Sequence, residues 1–280
     1  MLRLLFGAVL VLSACATAPQ ANIPTLEVAG NRLFVAATIN AKPVSALLDS
    51  AAEMSFVDKS WAEANGLAAS GSQVAQGSGG QAEVSFVENL TVEALGTRLN
   101  NLTAAVLDLT DLSQRLVGRP VTFILGREIF DNERLAIDIE GASIATVTRT
   151  ATPAGVALPL TSARGIESFP VRVNGQPIAA DFDLGNGTDV LIGKSTAQKL
   201  GLLDDPASLV TRKGGGIGGE LERKLVRLKS IEIAGHTFEN IEAAVDENDT
   251  AGELNIGVSL LRNFRITTDF SQHMLWLAPR

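Results

Sequence analysis

The chain has 280 residues, with 23 Lys and Arg against 31 Asp and Glu, a net charge of −8 and a pI near 4.9. At about 150 residues per domain that is roughly two domains with real cores, and the acidic balance excludes a nucleic-acid surface, which needs clustered Lys and Arg. Two His and no Tyr leave little material for a histidine triad or a His-rich zinc site, and Gly and Pro spread along the chain exclude a collagenous or long disordered design.

Residues 1–15 carry Arg3, an apolar run from Leu4 to Leu12, and then small residues before Cys15. That is the layout of a secretory signal, and the run is shorter than the ~20 apolar residues of a membrane span. The ending Leu12-Ser13-Ala14-Cys15 resembles the lipobox of bacterial lipoproteins. The resemblance implies that Cys15 becomes a lipidated N-terminus holding the protein on the periplasmic face of the bacterial envelope. The same resemblance makes Ala16 after it imply the outer membrane, and the alternative is a plain signal peptide that happens to contain a Cys. With one Cys in the sequence no intramolecular disulfide can form. Residues 16–25 read as a tether.

Leu33 to Ile39 is a β-prone run, followed by the turn Asn40-Ala41-Lys42-Pro43 and a second run ending at Asp49. Lys59 to Asn65 carries helix formers and stops at Gly66. Gly77-Ser78-Gly79-Gly80 reads as a flexible tip, and a hairpin is expected around Gly96. Ile124-Leu125-Gly126 comes next, with Asn132 and Asp138 beyond it. Thr150 to Gly155 is the natural linker. Phe169 to Val173, the turn Asn174-Gly175-Gln176-Pro177 and a run ending at Asp183 then repeat the opening pattern. A second helix is expected over Lys194 to Leu200, stopping at Gly201. A second flexible segment runs from Gly214 to Gly219. A hairpin joins Ile231–Ile233 to Thr237–Val245, and Asn255-Ile256-Gly257 leads to Asn263 and Asp269.

These blocks recur in the same order at nearly constant spacing, so the chain reads as two copies of one unit, 26–150 and 155–280. Many short strands, Gly turns and one small helix per copy predict two small β-barrels. Asp49 and Asp183 are the pair at equivalent positions directly after an apolar strand and before a tight turn. Asp138 and Asp269 also match, but are expected to cap turns or face solvent. Asp181 shares a strand face with Asp183, stands where the first copy has Leu47, and is at most a local modifier.

Leu47-Leu48-Asp49-Ser50-Ala51 and Asp181-Phe182-Asp183-Leu184-Gly185 resemble the apolar-apolar-Asp-Thr/Ser-Gly signature of the aspartic proteases, pepsin-like and retropepsin-like. The downstream Ile124-Leu125-Gly126 and, less closely, Asn255-Ile256-Gly257 extend the resemblance over the mature chain, nearest to small bacterial two-copy members. It implies an all-β, bilobed, pseudo-twofold acid-protease fold with catalytic Asp49 and Asp183. The two carboxyls would share one proton and activate a water without metal or organic cofactor. Ser50, Ala51, Leu184 and Gly185 would form the supporting turns, and Gly77, Gly79, Gly80, Gly215, Gly216 and Gly218 the substrate-binding flaps. The sequence departs from the family at Ala51, where Gly is usual, and at Leu184, which lacks the hydroxyl.

Gly187 to Ser195 misses a phosphate loop by one residue of spacing, and no zinc-protease helix or serine elbow is present. His236 and His273 are expected at solvent-facing turns. Two readings therefore stand. One is a lipid-anchored endopeptidase taking an extended peptide between the lobes, and the other is a protease-fold protein that binds a peptide or envelope partner without cleaving it. Two copies in one chain make a monomer the expected state.

Overall fold

A computed structural model describes residues 25–280 other than 206 and 208. The leader, Cys15 and all of the tether except Thr25 lie outside the described residues.

The duplication is visible strand by strand. In the first half, Arg32–Ile39, Lys42–Leu48, Gly80–Ala94, Thr97–Leu107 and Phe123–Leu125 correspond to Ile166–Val173, Gln176–Phe182, Gly219–Ile233, His236–Asp246 and Leu254–Ile256, each pair equal in length. Both halves form an eight-stranded sheet with one spatial order, and both bend round so that the long third member of this set pairs back on the first. The result is the expected pair of small β-barrels. Alternation explains the burial: Leu33, Val35, Ala37 and Ile39 point inward from one strand, and Phe169, Val171 and Val173 from its counterpart.

The opening hairpin of each barrel turns through two left-handed residues, Asn40 and Ala41 in one copy, Asn174 and Gly175 in the other. Only the second has the Asn-Gly pair such a turn favours, so Ala41 carries a steric cost that Gly175 does not. The helix Lys59–Ala64 starts at Asp58, whose side chain accepts from the Trp61 N–H at 3.0 Å. Its counterpart is Lys194–Lys199. One helix per lobe proves too few. Arg127–Asn132 and Val258–Leu261 form further helical turns directly after Gly126 and Gly257, and Thr110–Leu112 runs into another turn, Ser113–Val117. Pieces of three to six residues are too short to print a 3.6-residue period on the sequence.

The two barrels are not separate beads on a linker. Ser143–Thr146, Leu135–Asp138, Phe264–Asp269, Met274–Pro279 and Val156–Pro159 make one five-stranded sheet from both halves. Leu135–Asp138 pairs antiparallel with Phe264–Asp269, and Ala136 stands opposite Thr267. Those two residues are themselves repeat equivalents, so the pseudo-twofold axis passes between them. Phe130 of the first half stacks on Phe270 of the second at 5.1 Å, and Phe182 meets Phe270 edge-on at 6.4 Å.

Here one expectation fails. Asp269 neither faces solvent nor merely caps a turn: it is fully buried and held by Arg134 at 3.0 Å and Arg149 at 2.9 Å. The pairing residues lie more than a hundred positions upstream, where no local pattern reveals them. Asp138 does cap its turn, accepting from the Gly141 N–H at 2.8 Å. His236 and His273 are exposed, as expected.

Candidate active site

Each Asp-bearing strand lies parallel to the short strand downstream, Leu48 beside Leu125 and Phe182 beside Ile256. The Asp N–H closes each ladder, Asp49 onto the Leu125 carbonyl at 3.0 Å and Asp183 onto that of Ile256 at 3.1 Å. The loop after each Asp then crosses the Gly that follows this strand. A Cβ on Gly126 would stand 2.7 Å from the Met54 backbone, and one on Gly257 2.0 Å from the Asn186 carbonyl oxygen. This is why the apolar-apolar-Gly element recurs in both copies.

The turns carrying the carboxyls are locked across the lobes by one hydroxyl. Ser50 Oγ donates to the Phe182 carbonyl at 2.7 Å and accepts from the Leu184 N–H at 2.9 Å. A symmetric site would repeat this grip from the other side, but Leu184 has no hydroxyl and packs into the core instead. Gly185 is needed where it stands: a Cβ there would be 2.3 Å from Oδ2 of Asp49. Ala51 is accommodated, and its N–H donates to Oδ1 of Asp49 at 2.9 Å, with Ala52 N–H at 3.1 Å.

The two carboxyls differ in their partners. Asp49 receives both of these N–H groups on a single oxygen. Asp183 is held on both oxygens: Oδ1 by the Asn186 N–H at 2.9 Å, and Oδ2 by Asn255 Nδ2 at 2.8 Å. Asn186 Nδ2 donates to Asn255 Oδ1 at 2.7 Å, which orients the Asn255 amide with its nitrogen toward Asp183. Burial, and next the charge of Asp183, push the Asp49 carboxyl up to about 7, against the pull of its two N–H donors and of Arg32. Burial also raises Asp183, opposed first by the Asn255 hydrogen bond and then by the Asn186 N–H and Arg32. Donors on both oxygens favour the ionised form at Asp183, which leaves the proton on Asp49.

Both carboxyls lie on a cavity of about 520 Å³ between the lobes. The flap hairpins close over it, with the Gly79 N–H donating to the Ile217 carbonyl at 2.9 Å. Arg115 Nη2 reaches the Gly216 carbonyl at 3.2 Å, and Arg223 donates to the Ser78 carbonyl. Of the six flap glycines expected to meet substrate, Gly77, Gly215 and Gly216 line the cavity. Gly79, Gly80 and Gly218 do not: they press backbone to backbone where the two tips meet, and a Cβ on Gly218 would stand 2.4 Å from Gly80. Asp181 lines the cavity too, buried and bound by Arg164 at 3.1 Å and by Ser168 Oγ at 2.6 Å.

The pseudo-twofold is broken along the cavity wall. Leu47, Val84 and Ile124 on the first lobe have Asp181, Arg223 and Asn255 at the equivalent strand positions of the second, and all six line the cavity. At these three positions the first lobe is apolar and the second polar. Among the described residues no cluster of three or more His, Cys, Asp or Glu could hold a metal ion. Sequence reasoning missed Asn255, Asn186 and Arg32. Asn255 left a trace, a polar residue inside an otherwise apolar-apolar-Gly element, whereas Arg32 sits at a strand start with nothing to mark it.

A family model described as "Aspartyl protease" matches residues 35–129 and again 169–260, once on each Asp-bearing half. The chain belongs to the aspartyl protease family. Among solved structures, a retropepsin-like aspartic protease from Rickettsia conorii is 26% identical over 45% of this chain and 96% of its own, with a TM-score of 0.36. Basic 7S globulin from soybean, 10% identical, covers 91% of this chain and 94% of its own at a TM-score of 0.52, a likeness of fold alone. No curated protein sequence matches the chain. In this aspartyl protease family member the missing Leu184 hydroxyl and the added Asn255 donor are the differences between the halves that bear on how Asp49 and Asp183 are held.

Proposed function

We propose that this protein is an aspartic endopeptidase that cleaves extended peptide in the cleft between its lobes, using Asp183 as base and Asp49 as acid. The observation that carries this reading is the pair of half-buried carboxyls on symmetry-related turns, one of them raised to about 7 in part by the charge of the other. A water between them gives a proton to ionised Asp183 as its oxygen attacks the scissile carbonyl carbon. Asp49 gives its proton to the carbonyl oxygen as the C=O bond opens. Collapse of the tetrahedral intermediate returns a proton to Asp49, passes one to the leaving nitrogen and breaks the C–N bond. Asp183 can play this part while hydrogen-bonded, because each carboxylate oxygen has two acceptor sites.

Cleavage of a peptide mixture from pH 4 to 8, followed by mass spectrometry, tests the proposal. The wild type is expected to cut, and Asp49→Asn and Asp183→Asn each to lose at least a thousandfold in kcat/KM. A well-folded wild type that cuts nothing at any pH contradicts it and leaves the peptide-binding reading. The lipid anchor belongs to the same proposal and rests on Leu12-Ser13-Ala14-Cys15. Metabolic labelling with a fatty acid is expected to mark the wild type and not Cys15→Ala, and equal labelling of the two contradicts it.

A further inference from the structure

Arg32 opens a strand of the first lobe yet reaches the loop after Asp183. A Cβ on Gly187 would lie within 1.7 Å of its Nη1. The side chain is buried, the residue being 5% exposed, and it lines the inter-lobe cavity. A guanidinium has five N–H donors. Among the described residues the one acceptor it meets is the Gly30 carbonyl, at 3.4 Å from Nη1, and it forms no ion pair within 4 Å. Of the other arginines of the cavity wall, Arg164 is held by Asp181 and the Thr250 carbonyl, and Arg223 gives Nη2 to the Ser78 carbonyl while its buried Nε has no partner. Nor can position 187 supply a partner, since Gly187 has no side chain and there is no room for one.

A buried cation with unspent donors is costly unless an acceptor arrives. Arg32 feels the charges of Asp183 and Asp49, but the dyad carries one shared negative charge and stands beyond ion-pair distance. The planar fork of an arginine matches a carboxylate in two parallel hydrogen bonds.

We propose that Arg32 is a specificity-determining residue that receives a carboxylate of the peptide bound in the cleft. The carboxylate is either an Asp or Glu side chain near the scissile bond or the peptide's own C-terminus. This rests on the endopeptidase reading for its catalytic readout but not for its binding readout. Peptides differing only in Glu against Gln at each position around the cut site, and in free acid against C-terminal amide, give the two arms. In wild type one arm is expected to favour the acid at least tenfold in kcat/KM, and the arm that does so identifies the source. Arg32→Met is expected to bring that ratio near one and Arg32→Lys to keep part of it. The ratio, unlike the absolute rate, is insensitive to what Arg32 does to the dyad.

The same peptides titrated into the Asp49→Asn, Asp183→Asn double variant give affinities without any cleavage. Acid and amide handled alike by wild type, or a preference that survives in Arg32→Met, overturns the inference. Should wild type cut nothing, the endopeptidase reading fails while the binding arm still decides this one. No binding of any peptide overturns both.

Discussion

Asn255 tests how the two aspartates divide their work. It stands where the first lobe has Ile124, and its amide holds Oδ2 of Asp183 at 2.8 Å. Asn255→Ile would make the two halves alike at this position and strip Asp183 of the donor that most opposes the effect of burial. A hydrogen bond to a charged group is worth about 1.5–3 kcal/mol, so without it Asp183 should titrate higher. The acid limb of the pH–rate profile is expected to move up accordingly, with KM little changed. An unmoved limb would mean that Asn255 does not position the base. Ser50→Ala is the matching test of the grip between the turns. It leaves the Leu184 N–H and Phe182 carbonyl without their shared partner, at a cost of about 1–3 kcal/mol. The thermal midpoint should fall, and a midpoint equal to wild type would show the grip to be dispensable.

At the scale of elements, the flaps are where closure is decided. Their tips touch through backbone, and Arg115 adds two contacts from outside, to the carbonyls of Gly214 and Gly216. Arg115→Ala is expected to speed amide hydrogen exchange at Thr211–Gly216 and Gly219–Glu222 while the barrel strands stay protected. Uniform exchange in both proteins would contradict a latch there. The elements also show what the sequence carried. Strand pairs, their turns, two helices and the two Asp turns were legible because each writes a local pattern and is written twice. Gly185 and the Gly126/Gly257 pair were legible as motif residues, although only the structure shows which backbone or carboxyl they make room for. Asn255 showed only as a polar residue out of place in its motif, and Arg32 and the partners of Asp269 were not legible, because each acts on residues distant in the chain and none follows a period.

For the whole molecule, the shared sheet makes the lobes one cooperative body. Removing the Asp269 carboxylate leaves Arg134 buried without its main partner, and breaking a buried pair costs about 3–5 kcal/mol. Asp269→Ala should therefore unfold both lobes together at a lower midpoint. Survival of one lobe in a separate transition would contradict a single body. Stability should also depend on pH in a sense unusual for an aspartate. Asp49 has a folded value of about 7, above that of the unfolded chain, so between about pH 4 and 7 the folded state holds a proton the unfolded state has released. Its contribution thus falls as pH rises through that window and levels off above it. In Asp49→Asn the part of the fall due to Asp49 should disappear, leaving only that of Asp183, which burial also raises.

The shared proton itself is open to direct measurement by carbon-13 NMR titration of the aspartate carboxyls in wild type and in Asp183→Asn. In wild type the Asp49 carboxyl is expected to titrate near 7, and with Asp183 neutralised it should move down yet stay above the ordinary aspartate range, because burial is the larger cause. An Asp49 that titrates near 4 in both proteins, indifferent to residue 183, would contradict a coupled pair and with it the chemistry assigned to the cleft.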